Sequence, residues 1–242
     1  MRGYAGLQYA EFDAPPETAL QEAYFAAIAR FVSLLRLDGD LPDDAREQVV
    51  AELASLDAWA RSAWLGHSRD EAMAANLAWL IRHKFPGRKI IVWAHNNHIL
   101  KDASVYLDVR DKGPAEQVAA MSDAQKAALA YVGSLTSRAF PGRVCAIATT
   151  LGRGRISALS HKALDGSEID FSVTRPVPTQ DPNSLEGMLL DHEASAAVVD
   201  FKGLARHDFF RSRLLDLSFS AQAPYGRGYD AAVYIRDGAG LA

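Results

Sequence analysis

The sequence predicts an α/β protein: a helical N-terminal segment followed by a mixed or parallel sheet flanked by helices. Three observations predict it. Up to about residue 85, apolar side chains recur only at helical spacing. Four short β-like runs follow, at 89–94, 143–150, 196–201 and 231–236. Helical stretches with capping signals fall between some of these runs, and strands alternating with helices build α/β sheets.

The first helix spans 17–37. Pro15 and Pro16 precede it, Asp38 and Gly39 close it, and Leu20, Tyr24, Ala27, Phe31, Leu34 and Leu35 form its apolar line. A second runs from about Asp43 to Leu65, carrying Val49, Leu53, Leu56 and Trp59 or Ala60 on one side. A third opens with the capping box Ser68-Arg69-Asp70-Glu71, continues to about Lys84 and stops at Pro86-Gly87. The run 89–94 then reads as a buried strand. Segment 99–121 is ambiguous, with 104–109 a candidate extra strand. A further helix begins at the capping box Ser122-Asp123-Ala124-Gln125 and reaches about Phe140, and another begins at Asn183-Ser184-Leu185-Glu186. Segment 165–182 holds four prolines or glycines and reads as a surface loop. The expected organisation is a helical segment, 1–87, packed with an α/β part, 88–242, as one domain.

Bulk composition excludes several classes. The 242 residues are 49% hydrophobic and 23% charged, which fits a globular protein rather than a disordered one. The formal net charge is −4 and no Lys/Arg block stands out, so neither nucleic acid nor an anionic membrane is an expected partner. No apolar run approaches the roughly 20 residues that span a bilayer, and Met1-Arg2-Gly3-Tyr4-Ala5-Gly6 lacks a signal-peptide core. A cytoplasmic location is the expectation. Cys145 is the single cysteine; it lies in the apolar run Val144-Cys145-Ala146-Ile147, which predicts a buried, inert thiol and no intrachain disulfide.

The densest chemistry lies where run 89–94 ends in His95-Asn96-Asn97-His98. Open α/β sheets place ligands outside the carboxyl ends of strands. An imidazole can exchange a proton near neutral pH or bind a metal as the neutral ring. Two rings three residues apart reach one substrate if the chain turns helical after Ala94. The competing structural reading is that one histidine caps that helix and the other is solvated. A metal-dependent hydrolase would need a third ligand; Asp191, His192, Glu193 and Asp102 are candidates, but none stands at a recognised spacing. Arg69, Met73, Asn76 and Leu80 share one side of the third helix. Arg69 and Asn76 are polar in an otherwise apolar line, suited to orienting a carboxylate or substrate, or simply to reaching water at its edge. Gly152-Arg153-Gly154-Arg155 reads as a plain turn. No Gly-x-Ser-x-Gly, Walker A, His-Glu-x-x-His or Cys-x-x-Cys motif occurs.

Two stretches carry a resemblance. They are Arg69-Asp70-x-x-Met73-Ala74-x-Asn76-Leu77-x-Trp79-Leu80, and Pro86-Gly87-x-Lys89-Ile90-Ile91-Val92-Trp93-Ala94-His95-Asn96-x-His98-Ile99. Together they resemble the erythromycin esterase family. Val132-Gly133-Ser134-Leu135, Ser184-Leu185-Glu186 and Tyr229-Asp230-Ala231-Ala232-Val233-Tyr234-Ile235 are similar to later family segments in the same order. The resemblance implies an α/β fold with a helical insertion and a polar cleft. It also implies a hydrolase that cleaves an ester or macrolide lactone by water attack, linked to macrolide antibiotic resistance. On it, His95 and His98 are the catalytic candidates, Arg69, Asn76 and Asn96 orient substrate or partner side chains, and no cofactor is implied. The family's N-terminal Gly-Glu-x-x-His-Gly motif, whose histidine activates water, has no counterpart here, and segment 100–121 is longer than the family pattern. The chain therefore reads as the C-terminal part of such a hydrolase, with a non-catalytic binding or remnant protein as the alternative. Uncovered sheet and helix surfaces would favour homo-oligomers.

Overall fold

The computed structural model describes residues 16–110, 129–157, 174–178, 181–204, 208–215 and 220–238. It divides into two compact units that meet in sequence between Ile90 and Ile91. No helix among the described residues is long and apolar enough to cross a membrane.

The first unit is helical. It comprises α1 (Thr18–Leu37), α2 (Asp43–Leu65) and α3 (Arg69–Trp79), the last prolonged by a π-helical turn, Leu80–Lys84. Helix α2 packs against both α1 and α3. Ser68 caps α3 as its sequence implies, accepting from the Glu71 N–H at 3.3 Å. The half-buried side of α1 keeps Tyr24 and Leu35 of the expected line and adds Phe25. Leu20 and Phe31 are 61% and 55% exposed, whereas Tyr24 and Phe25 meet Trp64 edge-on at 5.0 and 5.8 Å. The Arg61 guanidinium lies 4.4 Å from the Phe25 ring centre.

The second unit is a mixed sheet with helices. Its elements are α4 (Asn96–Ile99), α5 (Ser104–Leu107), α6 (Val132–Ala139), β1 (Ile147–Ser157), β2 (Thr174–Pro176), α7 (Leu185–Asp191), β3 (Ala196–Asp200), β4 (Phe210–Ser212), β5 (Ala221–Ala223), α8 (Tyr225–Gly228) and β6 (Ala231–Gly238). The main sheet has the order β2-β1-β6-β3, and β4 and β5 form a separate hairpin. β1 and β6 run parallel from Ile147↔Ala231 to Gly154↔Gly238. β3 and β2 join antiparallel, through Val198↔Val233 and Ile156↔Arg175.

The two faces of this sheet differ. Ala148, Thr150, Ala232 and Tyr234 point to a buried side, where Leu100, Leu185, Leu214 and Tyr225 complete a core. Ile147, Val198 and Ile235, on the alternate positions, are 48%, 73% and 41% exposed. The buried side also holds Glu186. Its Oε1 accepts from Thr150 Oγ1 at 2.7 Å, Ser212 Oγ at 2.6 Å and the Arg213 N–H at 3.0 Å, tying α7 to β1 and β4. Burial pulls the Arg213 guanidinium below its ordinary range, and the Glu186 charge opposes that pull.

Five local expectations are corrected. Run 89–94 forms no strand among the described residues; Ile91 and Trp93 are 92% and 90% exposed. An apolar run becomes a strand only where another strand takes its N–H and C=O groups, and among the described residues none does. Cys145 is exposed, because it shares the outward register of Ile147 and Thr149. Residues 104–107 form a turn of helix, and Thr174–Pro176, inside the expected loop, pairs with β1. The Gly152–Gly154 stretch continues β1 rather than turning. A Cβ on Gly152 would overlap the Tyr234 hydroxyl, and Gly154 has φ +110°, so both glycines let β1 and β6 approach. Residues 122–128 of the expected fourth helix lie outside the described residues; its C-terminal part is α6.

Candidate active site

The chain does turn helical after Ala94, which puts His95, Asn96 and His98 on or beside one short helix. His95 is the N-cap of α4 and accepts the Asn97 N–H on Nδ1 at 3.3 Å. An acceptor at Nδ1 assigns the proton of the neutral ring to Nε2. The ring is exposed, so Nε2–H is presented as a donor. His98 is half-buried and meets Tyr131 edge-on, with ring centres 6.4 Å apart at 80°. Tyr131 is fixed in turn by Ser134, whose hydroxyl accepts from the Tyr131 N–H at 3.1 Å and donates to the Tyr131 carbonyl at 2.8 Å.

Asn96 lies beneath the two histidines and is buried. Its Nδ2 donates to Thr149 O at 2.7 Å and Leu214 O at 2.9 Å. Its Oδ1 accepts from the Thr149 N–H at 3.0 Å. One N–H and two carbonyls among its partners settle which end of the amide is which. The Asn96 carbonyl accepts from the Tyr229 hydroxyl at 3.2 Å, and that hydroxyl also lies 3.3 Å from Leu214 O. Burial pushes the Tyr229 phenol well above its ordinary range, which keeps it a donor.

Beyond α4 comes a charged cluster. The Lys101 ammonium pairs with Asp230, whose second carboxylate oxygen accepts the Ala146 N–H at 2.7 Å. Arg227 bridges Asp102 at 3.3 Å and Asp108 at 2.6 Å. Burial pushes the Asp102 carboxyl up, but hydrogen bonds from Ser104 and the Arg227 charge outweigh it and hold the group below the usual carboxylate range. Two cavities of about 430 and 400 Å³ share Lys101 and Asp102 in their walls; neither is lined by His95 or His98.

Of the other expected site residues, Arg69 opens α3 and is exposed. Asn76 is half-buried in the same helix and accepts from Ser55 Oγ at 3.0 Å. Both belong to the first unit. Among the described residues, no three His, Cys, Asp or Glu side chains converge to hold a metal ion. His192 and Glu193 are exposed just beyond α7.

Sequence reasoning missed Tyr131, Thr149, Leu214 and Tyr229. Thr149 and Leu214 bond to Asn96 only through the backbone, so their side chains carry no trace of the role. Tyr229 did carry a signal, as a polar aromatic leading into an apolar run.

Comparison with known proteins follows the same outline. No curated protein matches the chain. Three solved structures do, each over 90% of this chain. A mutant erythromycin esterase, EreC, in its open conformation is 20% identical over 53% of its own length, with a TM-score of 0.59. A succinoglycan biosynthesis protein is 17% identical over 50% of its length, TM-score 0.58. A Bacillus cereus protein is 16% identical over 52%, TM-score 0.55. These likenesses concern the fold, and the chain spans about half the length of each structure. The erythromycin esterase family pattern matches residues 17–237, a span that takes in the three N-terminal helices, the histidine-bearing turn and nearly all of the closing strand, and the chain belongs to the erythromycin esterase family.

Proposed function

We propose that this chain forms the C-terminal half of a hydrolase in which water attacks an ester or macrolide lactone carbonyl. In that reading His95 and His98 belong to the catalytic cluster. The observation that carries the proposal is the α4 turn itself, which offers both rings from a helix clamped to β1. General-base hydrolysis needs an acceptor for the water proton and a donor for the oxyanion. Neutral His95 has Nδ1 engaged by the Asn97 N–H, so its Nε2–H serves as the oxyanion donor rather than the base. His98, set against Tyr131, orients substrate beside it. The water-activating base then comes from outside this chain, in agreement with the missing Gly-Glu-x-x-His. The exposed Ile91, Trp93, Ile147, Val198 and Ile235 are apolar surface for the other half to cover. Arg69 and Asn76 serve substrate or partner orientation, and macrolide resistance would be the biological consequence.

The test is hydrolysis of a macrolide panel, read by mass spectrometry as gain of one water. It compares the present chain with the longer chain encoded if in-frame DNA lies upstream of Met1. Activity is expected in the longer chain, with a loss of roughly 100-fold or more for His95→Ala, the scale of one oxyanion donor. Activity that survives replacement of both histidines would refute the site. A second reading, a binding protein without chemistry, is favoured by the same missing motif. An absence of hydrolysis in every form, together with saturable macrolide binding, would establish it.

A further inference from the structure

We propose that Asn96 is a positioning residue, whose buried amide clamps the α4 turn to β1 and to the 214 loop and thereby fixes the rings of His95 and His98. The inference rests on the proposed function for what the histidines do, but not for how they are held.

Four segments meet at this residue. Asn96 engages the N–H and the C=O of Thr149, the same two groups that a neighbouring strand would take. It thus closes the β1 ladder at one point with a side chain. Its remaining amide hydrogen reaches Leu214 O, and the main-chain carbonyl of Asn96 takes the Tyr229 hydroxyl. Both amide hydrogens of Asn96 are therefore spent on the protein, and none is left to donate to a substrate. A four-residue helix has little stability of its own. The orientation of α4 must come from such outside bonds, and Asn96 supplies three of them from its side chain.

The histidines inherit this orientation. His95 immediately precedes Asn96, and its ring is tied to the backbone just after it. His98 closes the same turn by donating its N–H to His95 O at 2.9 Å. If the clamp is lost, Thr149 and Leu214 carry buried groups that need water, and α4 is free to fray. The His95 cap, already long at 3.3 Å, is the first bond to go.

Long-range proton–nitrogen NMR of the full chain, at a pH where the rings are neutral, tests this without any substrate. The unaltered protein is expected to show His95 with Nδ1 unprotonated and Nε2 protonated, and His98 protons shifted by the Tyr131 ring. Asn96→Ala is expected to move His95 to an averaged two-tautomer pattern and to erase the Tyr131 shift at His98. A merely structural Asn96 would lower the unfolding temperature and leave both signatures in place. That result in folded Asn96→Ala overturns the proposal. Should Asn96→Ala not fold, Asn96→Ser decides, because it also removes the amide and its bonds to Thr149 and Leu214 while a hydroxyl and a water can satisfy the groups left behind. Partial movement of both signatures supports the clamp; unchanged His95 and His98 resonances overturn it. Neither readout depends on hydrolysis, so a failure of the clamp and a failure of the proposed reaction are separable.

Discussion

Replacing Gly133 with alanine should destabilise the second unit, against the usual sign of a Gly→Ala change in a helix. Gly133 lies in the first turn of α6, where that helix meets the end of α4. By propensity alone, alanine would gain up to about 1 kcal/mol. The structure opposes this. A Cβ built at Gly133 would overlap the Ile99 carbonyl and sit 2.7 Å from Leu100 O, where ordinary contact begins at 3.4 Å. Relief of the Leu100 contact alone needs a shift of about 0.7 Å, and all three nearest atoms are backbone. Carbonyls cannot rotate aside as a side chain can, so α6 or α4 must move. Overpacking of this kind costs about 1–3 kcal/mol, and here its upper half applies. The net loss is then about 1–2 kcal/mol, or roughly 2–8 °C for a chain of this size. Gly228 is the control. Its nearest neighbours are Leu100 Cδ2 and Val105 Cγ2, both side-chain atoms. Gly228→Ala should change the midpoint by less than Gly133→Ala does. Thermal unfolding followed by circular dichroism measures both. A Gly133→Ala midpoint equal to or above the parent would show that the close approach of α6 to α4 does not govern this junction.

Two further outcomes are expected. Asp102 has a folded-state pKa below its unfolded value, so its charge adds stability above about pH 4, lost as pH falls through the folded pKa. Urea midpoints of Asp102→Asn should therefore fall below the parent at neutral pH and converge with it in acid; a gap that persists in acid would contradict the assignment. Cys145 should react with a chromogenic disulfide reagent in the native protein nearly as fast as after denaturation, since its side chain is exposed; strong native protection would place it back in the core.

The parts of the fold that could be read in the sequence are those fixed by local rules. Ser68 caps its helix, α2 keeps its expected bounds, and the runs near 196–200 and 231–238 are strands. What could not be read depends on neighbours distant in sequence. Run 89–94 has every local mark of a buried strand, yet burial needs a partner that periodicity cannot supply. Cys145 and Ile147 look apolar in a row, but both are exposed, on the side opposite the buried Ala146 and Ala148. At the site, the turn and its histidines were visible as an abrupt change from apolar to polar. The depth of Asn96 was not, because its partners are backbone groups 53 and 118 residues away.

The order of the main sheet sets a schedule for folding. β6 lies between β1 and β3, yet it follows both in sequence. On the ribosome, β1 and β3 emerge with no strand to join them. Their ladder closes only when residues 231–238 are released, and that closure spans more than 80 residues of chain between Ile147 and Ala231. Non-local pairing of this kind is slow and leaves open strand edges exposed while it waits. Premature termination a few codons before residue 231 would thus remove the middle of the sheet rather than trim its margin. A nascent chain stalled there should be a chaperone client, however well its first three helices have already formed.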